Sequence, residues 1–130
     1  MIKLGTTYEL TFSVTQDMTA RAVGSGTLDV LATPILAAKL EEAAWRAVAP
    51  ALPEGCSTVG TRLELSHLSP TPVGMRVTCR AEVTKMDDRF LLFSLSASDS
   101  AGLIGEGTHQ RVVIQAMRFL DKAQKKVELS

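Results

Sequence analysis

From residue 57 to residue 115 the chain repeats one pattern four times: alternating apolar and polar residues over the length of a strand, then a short turn. The stretch MRVTCRAEVTKM is the clearest example. Because successive side chains of a strand point to opposite faces, this alternation predicts strands with one buried and one solvated face. The turn sequences SPTPVG, DD and SDSAG separate the predicted strands. These strands span residues 57–68, 75–86, 89–98 and 103–115.

One strong helix signal precedes these strands. Thr33 followed by Pro34 is typical of an N-cap and the first helical position, and Pro50 ends the pattern. A further strand is predicted at residues 6–14 and a short helix at residues 116–129. The order of strand, helix and four antiparallel strands indicates an α+β domain, in which one central apolar helix packs on one curved sheet.

Composition excludes several classes of protein. The 130 residues are enough for a single domain, which we expect to span residues 1–130. Fourteen basic and 14 acidic side chains balance, so electrostatics favours neither a nucleic acid nor a membrane surface as partner. No apolar run approaches the roughly 18 residues of a membrane span, and the N-terminus lacks the apolar core of a signal peptide. The two cysteines form no CxxC pair, which argues against a zinc site or a redox motif. We expect a protein without metal or cofactor. Since nothing in the sequence suggests secretion, the cytoplasm is the expected compartment.

A glutamate on the predicted helix stands in apolar surroundings. On a helical wheel Lys39, Glu42 and Arg46 share one narrow arc, which is the expected solvent face. Glu41 lies well away from this arc, and its neighbours three and four residues away are apolar. An ionised carboxylate in such a place is costly unless it is paired. Glu41 is therefore either a structural residue at a rim or a functional one.

A histidine stands on the predicted buried face of a strand. His67 has the same strand parity as Leu63 and Leu65, so the imidazole points inward with the leucines. A lone inward histidine is more often structural, but together with an inward carboxylate it is typical of a general base and its orienting partner. The hydroxyl of Thr33 is either a plain N-cap or a group beside N–H donors that favour developing negative charge.

Two further candidates lie on the last predicted strand. The glycines of GLIGEGTH do not match a phosphate-binding loop, because the stretch opens a strand and not a helix. His109 is expected to be a structural or rim residue. Arg111 has the same parity as His109 and either contacts an anionic ligand or is a surface cation.

The motifs HLSPTPVG and GEGTHQR, together with the helix ATPILAAKLEEAAWRAVAPAL, resemble those of hotdog-fold thioesterases, most closely the fluoroacetyl-CoA thioesterase-like subgroup. The resemblance covers residues 5–128. It implies a hotdog fold: a central helix wrapped by a curved antiparallel sheet of about five strands, with a short C-terminal helix. It further implies a catalytic set, Thr33, Glu41 and His67, and the substrate-binding residues Gly60, His109 and Arg111.

The resemblance implies an acyl-CoA thioesterase that releases a free acid and coenzyme A. It also implies a homodimer whose sheets join edge to edge, with active sites at the subunit interface. Where the subgroup has a lid of phenylalanines, this chain has GSGTLDVLA, so we expect it to accept other small acyl groups and not to be specific for fluoroacetyl-CoA. The mechanism is left open between general-base catalysis and covalent attack by Glu41 or Thr33. The alternatives are a non-catalytic hotdog dimer that binds acyl-CoA or another small ligand, and an enoyl-CoA hydratase, whose helical Asp/His pair is missing.

Overall fold

Five strands and three helices form in the order that the sequence predicts. The computed structural model describes residues 1–129. The predicted strands, the central helix and the C-terminal helix are confirmed to within about two residues at each end. A four-residue helix, α1, also forms within residues 15–32, for which the sequence predicts no regular element. The elements are β1 (Thr7–Ser13), α1 (Ala20–Val23), α2 (Thr33–Val48), β2 (Cys56–His67), β3 (Arg76–Asp87), β4 (Phe90–Asp99), β5 (Gly102–Gln115) and α3 (Ala116–Leu129).

The five strands form one antiparallel sheet in the order β1-β3-β4-β5-β2. Short turns join β3 to β4 and β4 to β5, since both pairs are hairpins. Asp88 in the first turn has φ 56°, a left-handed conformation that aspartate tolerates better than most residues. The longer connections carry β1 and β2 to the two edges. The edge position of β2 matters for the site, because its outer side pairs with no other described strand.

Helix α2 packs across the sheet and forms the core with it. Its alanines bring the helix axis close to the strands, and each buried leucine contributes about 1.5–3 kcal/mol from the removal of apolar surface from water. The helix buries Leu36, Leu40, Ala43, Ala44, Ala47 and Val48, and the facing strand residues include Val77, Cys79, Ala81, Val83, Phe93 and Leu95.

The opposite face of α2 carries the predicted polar arc. Glu42 pairs with Arg46 at 2.9 Å and with Lys39 at 3.9 Å. The Lys39 ammonium also lies 5.2 Å from the ring centre of Phe12 in β1. The three charged residues therefore share one face, as the wheel predicted, and pair with each other. The predicted contrast between a solvent-facing Glu42 and an inward Glu41 is wrong, because the Glu42 side chain is 31% exposed and that of Glu41 is 41% exposed.

The turn PTP ties the start of α2 to the far end of the sheet. Thr71 is fully buried, and its hydroxyl donates to Asp99 at 2.8 Å, at the end of β4. Its carbonyl accepts from the N–H of Leu31 at 2.9 Å, and a β-bridge joins Val30 to Pro72. The residues just before α2 are thereby anchored to the sheet.

Helix α3 extends from the end of β5, where the N–H of Ala116 donates to the carbonyl of Gly55 at 2.9 Å. All of its residues after Ala116 are exposed. Within residues 1–129, none of the helices has the length and apolar character needed to cross a membrane.

Candidate active site

The first part of the site joins the start of α2 to the end of β2. The Thr33 hydroxyl lies 2.7 Å from Nδ1 of His67. Thr33 is the first residue of α2, and Ala32 occupies the N-cap position without a side-chain cap. The prediction that Thr33 is the N-cap is therefore wrong, because its hydroxyl contacts the imidazole and not the backbone of the first turn.

The second ring nitrogen of His67 is buried and has no hydrogen-bond partner among residues 1–129. Such nitrogens are rare in native proteins, because an unpaired buried polar atom forfeits its hydration. Burial also lowers the pKa of His67 below its ordinary value of 6.5, while the nearby backbone of Ser69, which can accept from the protonated ring, raises it. The imidazole is therefore neutral near pH 7 and able to take up a proton.

A cavity of about 290 Å³ lies beside this pair. Its walls come from the segment before α2 and from the residues that follow β2, so the anchored turn PTP shapes it. The lining residues include Ala20, Ser25, Val30, Leu31, Thr33 and His67.

The second part of the site surrounds Glu41, two turns further along α2. Its side chain is 41% exposed, and Oε2 lies 4.0 Å from both Nε2 of His109 and Nη1 of Arg111. Gly60 of β2 faces the same carboxylate: a Cβ there would lie 3.1 Å from Glu41 Oε2 and 3.1 Å from His109 Cε1. Glycine therefore leaves the space that the carboxylate occupies.

Arg111 is 7% exposed, so the interpretation as a surface cation is wrong. Its Nε donates to the Thr58 hydroxyl and its Nη2 to the Thr58 carbonyl, both at 2.9 Å. Burial lowers the pKa of Arg111 and the Glu41 carboxylate raises it, but a guanidinium stays protonated in a protein. A buried cation thus lies behind the carboxylate.

His109 is 1% exposed, so it lies in the interior and not at a rim. Its Nδ1 lies 2.8 Å from the carbonyl of Arg62 and therefore carries the hydrogen, which leaves Nε2 to accept from Arg111 Nη1 at 3.1 Å. Burial lowers the pKa of His109, as does the Arg111 cation, whereas the Arg62 carbonyl and Glu41 raise it. The ring is neutral, with both nitrogens engaged.

The three residues predicted as a catalytic set fall into two clusters. Thr33 and His67 are in contact, but within residues 1–129 no hydrogen bond or ion pair joins Glu41 to either of them. Eight helical residues separate Thr33 from Glu41, a rise of about 12 Å. The single chain therefore does not bring the whole set together.

Sequence reasoning missed two members of the second cluster, Thr58 and the carbonyl of Arg62. Both lie on β2 and face β5, whose residues Arg111 and His109 pair with Gly60 and Leu63. No local signal marks them, because their role depends on the register between two strands that are distant in sequence.

The described residues contain no group of three side chains that could hold a metal ion. Cys56 and Cys79 are both free thiols. Cys79 lies in the core, and burial raises the pKa of its thiol to about 12, so it is neither a ligand nor a nucleophile at neutral pH.

The sequence and the fold both match known thioesterases. The family model for the fluoroacetyl-CoA-specific thioesterase, FlK, matches residues 14–117. The fluoroacetyl-CoA thioesterase of Streptantibioticus cattleyicolor is 38% identical over 98 residues, which cover 75% of this chain and 70% of that protein. A structure of FlK superimposes with a TM-score of 0.92 at 32% identity, covering 97% of this chain and 98% of FlK. A thioesterase superfamily member from Thermus thermophilus superimposes with a TM-score of 0.90 at 26% identity. The match covers 100% of this chain and 98% of the Thermus thermophilus protein. The chain has the hotdog fold and belongs to the fluoroacetyl-CoA-specific thioesterase family.

Proposed function

We propose that the protein hydrolyses a small acyl-CoA thioester to the free acid and coenzyme A. The observation that carries this proposal is the 2.7 Å contact between the Thr33 hydroxyl and the neutral imidazole of His67. Family membership supports it, and a variant of FlK has been solved with acetyl-CoA bound. Thr33, His67 and Glu41 are the proposed catalytic residues.

Thioester hydrolysis needs an oxygen nucleophile, an acceptor for its proton and a donor for the oxyanion. Neutral His67 accepts a proton either from Thr33 or from a water molecule that Thr33 holds, while the oxygen attacks the carbonyl carbon. The C–S bond then breaks, and the leaving thiolate takes the proton from His67. Where Thr33 is the nucleophile, water then attacks the resulting ester and gives a proton to His67, which returns it to the Thr33 oxygen as the free acid leaves. In both routes Glu41 acts with His67 to activate the nucleophile.

The backbone N–H groups of Gly60 and Thr33 are the proposed oxyanion donors. Pro34 has no N–H, and those of Ile35 and Leu36 already donate to the carbonyl of Ala32.

The proposed active form is a homodimer. Strand β2 lies at the edge of the sheet and presents unpaired backbone groups, which a second copy can pair with across a two-fold axis. Antiparallel pairing of two β2 strands brings the His67 end of one copy towards the Gly60 half of the other. Glu41 of one subunit then completes the site of Thr33 and His67 from its partner.

The proposed substrate carries a small acyl group, and the proposed enzyme is not specific for fluoroacetyl-CoA. The cavity beside Thr33 and His67 measures about 290 Å³, and residues 24–32 above it include no aromatic side chain. The substrate-binding roles of Gly60, His109 and Arg111 remain predictions, and of these only Gly60 is exposed. Because both cysteines are free thiols, the reducing cytoplasm is the expected compartment.

Thiol release from a panel of acetyl-, fluoroacetyl-, branched and aromatic acyl-CoAs tests the activity. Glu41→Gln should abolish release, whereas Glu42→Gln, the adjacent glutamate on the solvent face, should leave it unchanged. Tight acyl-CoA binding without thiol release would contradict the proposal and favour a non-catalytic binding dimer. Loss of the enoyl absorbance from an enoyl-CoA would instead indicate a hydratase.

Mixed dimers test which subunit supplies each residue. Glu41→Gln and His67→Asn chains, each inactive alone, are unfolded together and refolded as a mixture. If Glu41 acts with His67 of the partner subunit, half of the dimers regain one intact site, so roughly a quarter of wild-type activity returns. If one chain supplies both residues, the mixture stays inactive.

A single turnover in ¹⁸O-labelled water, with enzyme in excess, tests whether Glu41 attacks the substrate covalently. Label that enters the Glu41 carboxylate indicates attack by Glu41. Label found only in the released acid fits attack by water, and also an acyl-enzyme on Glu41 or Thr33 that water opens at the acyl carbon. Trapping an anhydride on Glu41 or an ester on Thr33 distinguishes these routes.

A further inference from the structure

Another cavity lies between the end of α2 and the start of β2. It measures about 350 Å³, and its lining residues differ from those of the cavity beside Thr33 and His67. Pockets for small molecules begin at about 300 Å³, so this cavity has room for a small group and not for a large one. Its walls are formed by Trp45, Ala49, Leu52, Ser57, Thr58 and Arg111.

The cavity adjoins the proposed catalytic carboxylate. Arg111 belongs both to its wall and to the cluster around Glu41, since Nη1 of Arg111 lies 4.0 Å from Glu41 Oε2. A Cβ on Gly60 would lie 3.4 Å from the same Nη1. Trp45 follows Glu41 by four residues, which is about one helical turn and a rise of about 6 Å. A substrate carbonyl beside Glu41 and Gly60 is therefore only about one helical turn from this cavity.

Trp45 forms a fixed aromatic wall. The guanidinium carbon of Arg46 lies 4.8 Å from the centre of the Trp45 ring, and Nε of Arg46 donates to Glu42 at 2.9 Å. A cation over the face of an indole stabilises the ring in its place. Trp45 is nevertheless 40% exposed. Part of a large apolar surface is thus held beside the cavity, where a ligand can cover it.

The two ends of the cavity differ in polarity. Trp45, Ala49 and Leu52 supply apolar surface at the end that is further from Glu41 along the chain. Arg111 stands at the Glu41 end, where Thr58 accepts from two of its nitrogens. An acyl group has the same polarity, a carbonyl followed by a hydrocarbon chain. With the carbonyl at the Arg111 end, this orientation agrees with the substrate-binding role predicted for Arg111.

We infer that this cavity holds the far end of the acyl chain, and that Trp45 is a specificity-determining residue that limits the length of the chain. A short group such as acetyl fits beside Thr33 and His67, and a longer chain continues past Gly60 to Trp45. This inference rests on the proposed function, because it places the reacting carbonyl beside Glu41.

The dependence of kcat/KM on acyl length tests the inference. Thiol release by the full-length protein is compared for acetyl-, butyryl-, hexanoyl- and octanoyl-CoA. In the wild type, kcat/KM should fall beyond butyryl-CoA. In Trp45→Ala, the ratio of kcat/KM for hexanoyl-CoA to that for acetyl-CoA should rise at least about tenfold, because a single methylene group in an apolar pocket changes kcat/KM by about 10–200-fold.

Two further variants make the comparison specific. Ala49→Phe adds a ring to the same wall and should lower the ratio at least about tenfold. Phe90→Ala is the matched control, because Phe90 is 39% exposed and lines a cavity of about 420 Å³ at the turn between β3 and β4. This control should leave the ratio unchanged. An unchanged ratio in Trp45→Ala, or an equal rise in Phe90→Ala, would overturn the inference.

The fluorescence of Trp45 provides a readout that does not depend on hydrolysis. Trp45 is the only tryptophan in the chain, so the emission reports on this one place. S-butyl-CoA, a thioether that cannot be hydrolysed, should shift the emission to shorter wavelength because the butyl chain covers the indole, whereas coenzyme A alone should leave it unchanged. Equal shifts with both ligands would assign the cavity to the coenzyme A part and overturn the inference. No shift at any concentration of S-butyl-CoA would overturn it as well.

The two experiments fail separately. If the wild type hydrolyses no acyl-CoA, the proposed function fails, and the fluorescence titration still decides whether an acyl chain lies against Trp45. If Trp45→Ala does not fold, Trp45→Leu takes its place in the kinetic comparison.

Discussion

At the scale of single residues, Gly60 decides whether a carboxylate can lie against the sheet. A Cβ at this position would approach Glu41 Oε2 and His109 Cε1 to 3.1 Å and Arg111 Nη1 to 3.4 Å. These neighbours are the ends of side chains, and of the three Glu41 is the most exposed, so the glutamate is the one free to move.

We therefore predict that Gly60→Ala folds but is impaired in catalysis. The methyl group displaces the Glu41 carboxylate, and a shift of about 1 Å typically costs about 100-fold in rate. Steady-state thiol release measures the loss, and the midpoint of urea unfolding should change little. Full activity in this variant would contradict the close packing of Gly60 against Glu41.

At the scale of elements, the contact of Thr71 with Asp99 holds the start of α2 against the sheet. The Thr71 hydroxyl donates to a carboxylate in the interior, and its carbonyl accepts from Leu31, two residues before Thr33. The turn PTP between β2 and β3 thereby sets the distance between Thr33 and His67. A buried hydrogen bond to a charged acceptor contributes about 1.5–3 kcal/mol to stability.

We predict that Thr71→Val, which keeps the shape and removes the hydroxyl, lowers the free energy of unfolding by about 1.5–3 kcal/mol. It should also lower kcat, because the segment before Thr33 loses an anchor. Thr71→Ser retains the donor and should behave more like the wild type in both measurements, urea unfolding and thiol release. Valine and serine variants of equal stability would exclude a role for the hydroxyl.

At the scale of the whole molecule, the two histidines link stability to pH. They are the only histidines in the chain, and burial lowers the pKa of both below 6.5. Between the folded and unfolded values the unfolded chain binds more protons, so stability rises with pH in that range. The stability that the two neutral histidines contribute is fully present above about pH 6.5. It is lost as the pH falls towards and through their lowered folded-state pKa values.

We predict that the urea midpoint falls as the pH is lowered from about 7.5 to 5.5, at constant ionic strength. His109→Gln should flatten this dependence, because glutamine does not titrate, and His67→Asn should remove a further part. An equally steep dependence in the double variant would show that other groups are responsible. Measurements above about pH 5 avoid most of the titration of carboxylates.

Much of the fold and part of the site follow from local patterns in the sequence. Alternation over residues 75–86 determined which face of β3 is buried, and helical spacing separated Glu41 from Glu42. The parity of His67 with Leu63 and Leu65 placed the imidazole near the helix. These predictions succeed because the periods of strands and helices are properties of the backbone itself.

The partners of these residues were decided by the tertiary structure. A β-bulge between Gly60 and Arg62 shifts the parity of β2. Gly60 therefore pairs with Arg111 and Leu63 with His109, so that both positions lie on the same face of the sheet. Simple alternation would place them on opposite faces. With the register that this bulge sets, Arg111 is buried and its Nη1 lies 4.0 Å from Glu41 Oε2. From the sequence alone, Arg111 could equally have been a surface cation.

The sequence by itself determined the order of the main elements, the periodic faces of the strands and of α2, and the side of β2 on which His67 lies, but it placed the half-exposed Glu41 too far inward. Only the tertiary structure decided that Thr33 contacts His67 while Glu41 lies with His109 and Arg111. The physical reason is range: secondary structure follows from interactions within a few residues, whereas the register of β2 on β5 and its place at the sheet edge depend on residues about 50 positions apart.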